Sequence, residues 1–358
     1  MSIIGQVTML DPNRAGHIGG VDSGNINPLY IDQHFGAVER RILKTSFFRA
    51  FLKMRPVRGT DTLTQMRMGH TPLQKMQRGI RARDHSPTYD SISIKVDTII
   101  LARANEWTLE DFQNSYDFRT EIGDEQGKEI GKFFDEACLA QAVKAAQITV
   151  VHPDGSKDGG WEGFAVANIE RTAPEGHRGG TCVVFAGAND HKDPDMAERA
   201  MSDAATELRK KDMDLEEMVW AMDWDFHKTL SYNTNLIDRD LNGFSNGDYS
   251  MRTVERVGGV MLYPNNRMPR EVHVRGTNDH FLSNAANNWA YNNTANDVKC
   301  VAVLIHPKTL LGGETIPITT KIFWDDKDKQ WYIDAWTAFA VTPGTAAVAA
   351  AIFKNGVA

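Results

Sequence analysis

The chain has 358 residues, of which 41% are hydrophobic and 24% charged, enough for one large or two modest domains with a proper core. Its formal net charge is −7, and no stretch approaches the roughly 18 consecutive apolar residues that a membrane-crossing helix needs. The first twenty residues carry no basic segment followed by an apolar run, which argues against a secretory leader and for a chain that stays in the cytoplasm.

Residues 1–33 are rich in Gly, Asn and Pro without periodicity and read as a flexible arm. Residues 35–52 carry a helical apolar stripe through Val38 and Ile42 toward Phe48 or Phe51. The following segment is rich in arginine and turn residues and poor in large aliphatics. With no core of its own, it should form an extended hairpin. Between His34 and Arg83 twelve basic residues face only Glu39 and Asp61, so the rest of the chain is acid-rich. Such a basic segment can bind nucleic acid or the acidic face of another copy, and composition alone does not choose.

From Ser91 the pattern alternates, with Ile92, Ile94 and Val96 on one face, as in a half-buried strand. The longest helical pattern runs over roughly 120–147, about 40 Å at 1.5 Å per residue. Gly123, Gly127 and Gly131 sit in its first half at i, i+4 and i+8. Each costs about 1 kcal/mol relative to alanine in a helix interior. Three readings stand: the stable helix starts only after Gly127, the glycines form a face for close backbone approach, or they make the helix bendable. On the last reading, Gly127→Ala should stiffen and stabilise the helix.

Further on, the pattern predicts a strand at 181–185, a helix at 194–211, a strand at 215–222, a helix at 224–232 and a strand at 253–263. Residues 264–297 are Asn-rich and irregular, and strands return at 298–305, 315–324 and 330–341 before a small-residue run at 345–352. This order, helices and strands mixed without strict alternation, predicts an α+β fold. Cys138, Cys182 and Cys300 match no metal-ligand spacing and read as free thiols.

No phosphate loop, dinucleotide fingerprint, nucleophile elbow or paired-histidine metal motif is present, so no catalytic, cofactor or metal residues are expected and the chain does not read as an enzyme. Asp238, Asp240, Asn242 and Gly243 imitate a calcium loop, but Tyr249 stands where the bidentate carboxylate belongs, so a turn is the better reading. Aromatics do not interleave with the basic residues at base-stacking spacing.

The run from Asp111 to Glu121, with Tyr116, Asp117, Arg119 and Glu121, resembles the start of the spine helix in major capsid proteins of T7-like tailed bacteriophages (podoviruses), which have the HK97 fold. Phe35-Gly36, Arg41 and Lys44-Thr45-Ser46 look like that family's N-terminal arm helix, and 69–79 with Pro72-Leu73 is similar to its E-loop. Residues 218–226 and 252–261 resemble strands of its A-domain, while 264–297 and the tail around Trp324, Trp331 and Trp336 depart from the pattern.

The resemblance implies an N-terminal arm (1–52), an E-loop hairpin (53–95), a P-domain with spine helix (96–190), an A-domain (191–300) and C-terminal strands returning to the P-domain (301–358). It further implies self-assembly into hexamers and pentamers of an icosahedral shell around double-stranded DNA, bound without sequence specificity. A separate scaffolding protein and a portal protein would be partners, with room for a cement protein, and the virion would be the final location. The expected subunit interface comprises Arg40, Arg41, Arg55, Arg58, Arg67, Lys75, Arg78, Arg81 and Arg83. An encapsulin-like compartment shell and a basic nucleic-acid-binding protein are the alternative readings.

Overall fold

In the computed structural model, the described residues are 28–68, 75–76, 78–79, 81, 89–107, 119–151, 157–161, 178–233 and 254–357. The Asp238–Tyr249 turn lies outside them. The chain opens with helices α1 (Pro28–Thr45) and α2 (Phe48–Phe51), then strands β1 (Met54–Pro56), β2 (Thr62–Met68), β3 (Tyr89–Lys95) and β4 (Ile100–Trp107). Helix α3 (Arg119–Gln147) is followed by β5 (Val150–Val151), β6 (Lys157–Asp158), β7 (Thr181–Val184), α4 (Pro194–Lys210), β8 (Val219–Asp223) and α5 (Trp224–Leu230). Strands β9 (Arg256–Val257), β10 (Val260–Asn265), β11 (Cys300–Ile305), β12 (Leu310–Asp325), β13 (Gln330–Pro343) and β14 (Ala350–Phe353) follow. Helices and strands are mixed, as expected.

Residues divide into two compact units: 1–61, 96–135 and 313–340 in one, and 62–95, 136–312 and 341–358 in the other. In the first, strands pair in the order β1-β12-β13-β4. α1 buries Ala37, Val38 and Ile42, and the last two cluster with Ile130 of α3 and Ala335 of β13. The helix pair is seated through the three glycines. A Cβ built on Gly127 would lie 2.7 Å from the Val38 carbonyl oxygen, one on Gly123 2.8 Å from the His34 ring, and one on Gly131 3.4 Å from Thr45 Cβ. Gly127 and Gly123 therefore provide the close approach that was one of three open readings, whereas at Gly131 a Cβ would make ordinary van der Waals contact. Because the helix already runs from Arg119, a start after Gly127 is not what the chain does.

Two buried polar side chains of α3 tie this seam together. The Gln126 amide donates to the carbonyls of Ala102 (3.3 Å) and Ile333 (2.9 Å), so its Oε1 accepts from His34 Nε2 at 3.1 Å. Asp135 accepts from Ser46 Oγ (2.5 Å) and from the backbone N–H groups of Phe47 (3.1 Å) and Phe48 (3.2 Å). That carboxylate satisfies the orphan donors at the start of α2, which explains why the helix expected over 35–52 is broken in two near Ser46.

In the second unit a six-stranded sheet has the order β7-β14-β11-β8-β10-β9. α4 covers it with Ala197, Met201, Ala204 and Leu208, started by Pro194 and by Asp193, whose side chain accepts from the Asp195 N–H. Two expectations are corrected here. The strand expected over 253–263 is a hairpin, because Gly258 and Gly259 take positive φ (62° and 89°) and turn the chain. The strand expected from Leu215 starts only at Val219, after a turn in which the Glu216 N–H donates to Asp214. Of the later strands, β12 and β13 pair in the four-stranded sheet, β11 and β14 in the six-stranded one. β2 and β3 form an antiparallel hairpin of their own, from Thr62↔Lys95 to Met68↔Tyr89.

The irregular stretch 264–297 is held by side-chain amides in place of regular structure. Asn278 accepts from Val274 N–H and donates to Val272 O, while Asn284 and Asn287 each accept from the other's backbone N–H. α3 grips this stretch from Gln141, Lys144 and Gln147, three residues apart, bonding Ala290 O, Asn292 O and Asp297. His280 stacks on Tyr291 at 5.5 Å, and burial, with the positive charges of His273 and Lys144, pushes its pKa down to about 4.

Two outcomes are expected. An alanine at 127 gains about 1 kcal/mol of helix propensity but overpacks against backbone at a cost of about 1–3 kcal/mol. Gly127→Ala should thus lower the urea-unfolding free energy, reversing the sign expected from the sequence; unchanged or raised stability would show slack in the seam. Second, the unfolded chain charges His280 near its ordinary value of 6.5, the folded one only near 4. Stability should fall as pH drops through that window, by about 3 kcal/mol at most. Melting curves of His280→Gln should be flatter over the window than those of the parent; parallel curves would refute this assignment.

Candidate assembly surface

The sequence-predicted interface residues lie on α1, on β1 and along the β2–β3 hairpin. Arg40 is exposed on α1, and Arg55 and Arg58 are exposed in and just after β1. Arg67 lies in β2 with its backbone paired to Asp90, and Lys75, Arg78 and Arg81 are exposed between the two hairpin strands. Arg83, Tyr116 and Asp117 lie outside the described residues, whereas Arg119 is the first residue of α3 and Glu121 is exposed in its first turn. Arg41 differs from the others. It is half-buried, and its Cβ comes within 3.1 Å of where a Gly127 side chain would begin.

The hairpin is short of apolar contact by composition. Ile94 (6% exposed) carries its buried face, while Met66 is 80% exposed. Such a strand pair is marginal in water by itself. Among the described residues no group of three or more His, Cys, Asp or Glu is placed to hold a metal ion.

Charge of the opposite sign lines α3. Glu121, Glu125 and Glu129 are exposed, and Asp124 is half-buried. Lys128 pairs with Glu125 at 2.9 Å and Lys132 with Glu129, each three residues along the helix. The hydrogen bond from Lys128 holds the Glu125 carboxyl below its ordinary range. Exposed pairs of this kind contribute little and compete weakly with an incoming cation.

Sequence reasoning missed several polar residues that organise this region. Arg49 pairs with Glu314 at 2.9 Å and lies over the Phe134 ring, and Arg103 makes a two-pronged contact with Asp334, both prongs 2.7 Å. Gln126 and Asp135 carried a legible signal, being polar residues on the apolar side of a helix pattern. Arg103 and Asp334 carried none, because only strand register puts them opposite one another. Lys211 is also buried, but its ammonium donates to Gly179 O, Gly180 O and Thr181 Oγ1, which uses all three protons. Burial pushes its pKa down to about 8. Of the three free cysteines, Cys138 and Cys300 are buried; Cys182 is half-buried, and its thiol is pushed up to about 12.

No family model matches the sequence, and no curated protein matches it. The structure is similar to that of the mature capsid of bacteriophage PhiM1, with a TM-score of 0.68 and 22% identity over 87% of this chain and 88% of that one. It is similar also to the capsid of cyanophage P-SCSP1u (TM-score 0.70, 14% identity, 87% and 88%) and to that of Ralstonia phage GP4 (0.53, 10%, 87% and 92%). At these identities the likeness is one of fold, and the chain has an HK97-like capsid fold.

Proposed function

We propose that this chain is the major shell protein of a T7-like tailed bacteriophage, assembling with itself into hexamers and pentamers around double-stranded DNA. The observation that carries the proposal is the likeness to phage capsid chains over nearly the whole length of both partners. An insertion or a shared subdomain would cover less. On this reading 1–52 is the arm, 53–95 the E-loop, α3 the spine helix of the P-domain, and 191–300 the A-domain. The protein is structural and has no reaction to catalyse. A scaffolding protein and a portal ring are its assembly partners, and the virion is where it ends up.

The contact proposed to drive assembly is electrostatic. Exposed Lys75, Arg78 and Arg81 of one copy's hairpin lie over the acidic α3 face of the next, at Glu121, Glu125 and Glu129. Each such contact is weak, but in a closed shell the later ones form between groups already held close, so their effective concentration is high. A hairpin with little core of its own loses less by being spread on a neighbour than a packed element would. The acid-rich remainder suits a wall that encloses DNA without adhering to its phosphates. The glycine stripe also suits a helix that changes curvature during shell expansion, a role compatible with its packing role.

Reversing two charges, Arg78→Glu with Arg81→Glu, should abolish particle formation while leaving the subunit folded. Electron microscopy and sedimentation of the protein, expressed with and without neighbouring genes, provide the test; normal particles from the double variant would defeat this contact. A chain that stays monomeric under all such conditions would defeat the assembly reading altogether.

A further inference from the structure

In the two larger sheets, three of the four edges are guarded. β1 has three residues and ends at Pro56, β9 has two, and β7 has four, with Gly160 bridged to Thr181. Short edges, prolines and covering segments are how folded chains keep their strands from pairing with one another. The fourth edge, β4, has eight residues, and among the described residues it ends its sheet. Its pairing with β13 runs one for one from Ile100↔Thr337 to Trp107↔Gln330, so no bulge bends it away. It contains neither proline nor lysine.

Arg103 and Glu106 are its two charged residues, and neither guards the open side. Arg103 is drawn across β13: two of its nitrogens reach Asp334 at 2.7 Å, and its guanidinium lies 5.1 Å from the centre of the Tyr332 ring. Glu106 is buried, and by strand alternation it shares a face with Ala102, which packs against Val38, Ile42 and Ile130. On the opposite face Leu101 (49% exposed) and Trp107 (56%) stand in water near the two ends. A long, unbroken edge with exposed apolar side chains is a template for another strand.

We infer that β4 pairs with β4 of a second copy, antiparallel about a two-fold axis, joining two four-stranded sheets edge to edge. Such an axis makes the edge its own partner and fixes which residues meet. Centred on Ala104, Leu101 of each copy opposes Trp107 of the other, and Arg103 opposes Asn105. Both exposed apolar side chains are then covered, and no like charges meet. Centring on Arg103 would oppose two guanidiniums, and centring on Asn105 would leave Leu101 beyond the ladder. The inference rests on the self-assembly reading. It adds a contact made chiefly by backbone hydrogen bonds, separate from the charged hairpin.

The test co-expresses two full-length chains, one carrying Leu101→Cys and the other Trp107→Cys, with and without neighbouring genes. Opposed cross-strand Cβ atoms lie about 4.5–5.5 Å apart, close enough for a disulfide after a small adjustment. Mild oxidation should link the two different chains into a dimer on a non-reducing gel. Neither variant by itself should give that dimer, nor should the parent with its own three cysteines. Adding Asn105→Lys to both chains sets like charge against Arg103 at two places and should remove the dimer. Circular dichroism confirms that each variant folds. Particles that form without the mixed disulfide, a dimer formed as readily by Leu101→Cys alone, or a dimer undiminished by Asn105→Lys would each overturn the β4 contact and leave the shell reading standing. A mixed dimer without particles supports the contact and counts against the shell. A chain that neither cross-links nor sediments as particles overturns both.

Discussion

The first unit depends on one steric constraint: at Gly127 the backbone of α1 rests directly on α3, closer than a side chain there would permit. Glycine lowers helix propensity at three positions, and the compensation is packing at backbone distance together with a fixed place for two buried polar groups. Gln126 can reach two strand carbonyls and the His34 ring only because the helices are that near. Asp135, two turns on, ends the same seam by taking the amide protons at the start of α2. Remove the close approach and these polar atoms lose partners in a site water cannot easily reach, which is where a hydrogen bond matters most.

The second unit solves a different problem. Residues 264–297 have too little periodicity for helix or strand, yet the stretch is ordered, because asparagine side chains do the pairing that a ladder would otherwise do. Its attachment to α3 is polar as well, through residues spaced three apart so that they share a helix face. Polar attachment of this kind depends on its partners being satisfied.

Charge organises the surface in a complementary way. The hairpin carries cations with little apolar area beneath them, and α3 presents Glu125 and Glu129, each paired with a lysine three residues along the same helix. Exposed pairs of this kind add little to the stability of the unit that carries them. On the proposed shell-forming reading that complementarity gains a use, because the same two surfaces would recur on every copy.

Much of this architecture was legible in the residues alone. Hydrophobic period located the long helix, the helix at 194–211 and most strands, and the lack of aliphatics marked the hairpin, since these are local properties of the chain. The glycine stripe was visible but not its meaning: close approach and bending predict the same residues, and only the position of Val38 against Gly127 shows that packing is served. The turn at Gly258-Gly259 was hidden inside an apolar run because φ is not written in hydrophobicity. Strand order, the Arg103–Asp334 contact and the sharing of the last strands between two sheets are relations between distant segments. Those follow from which surfaces can be buried together, a property that belongs to the folded chain and to no stretch of the sequence by itself.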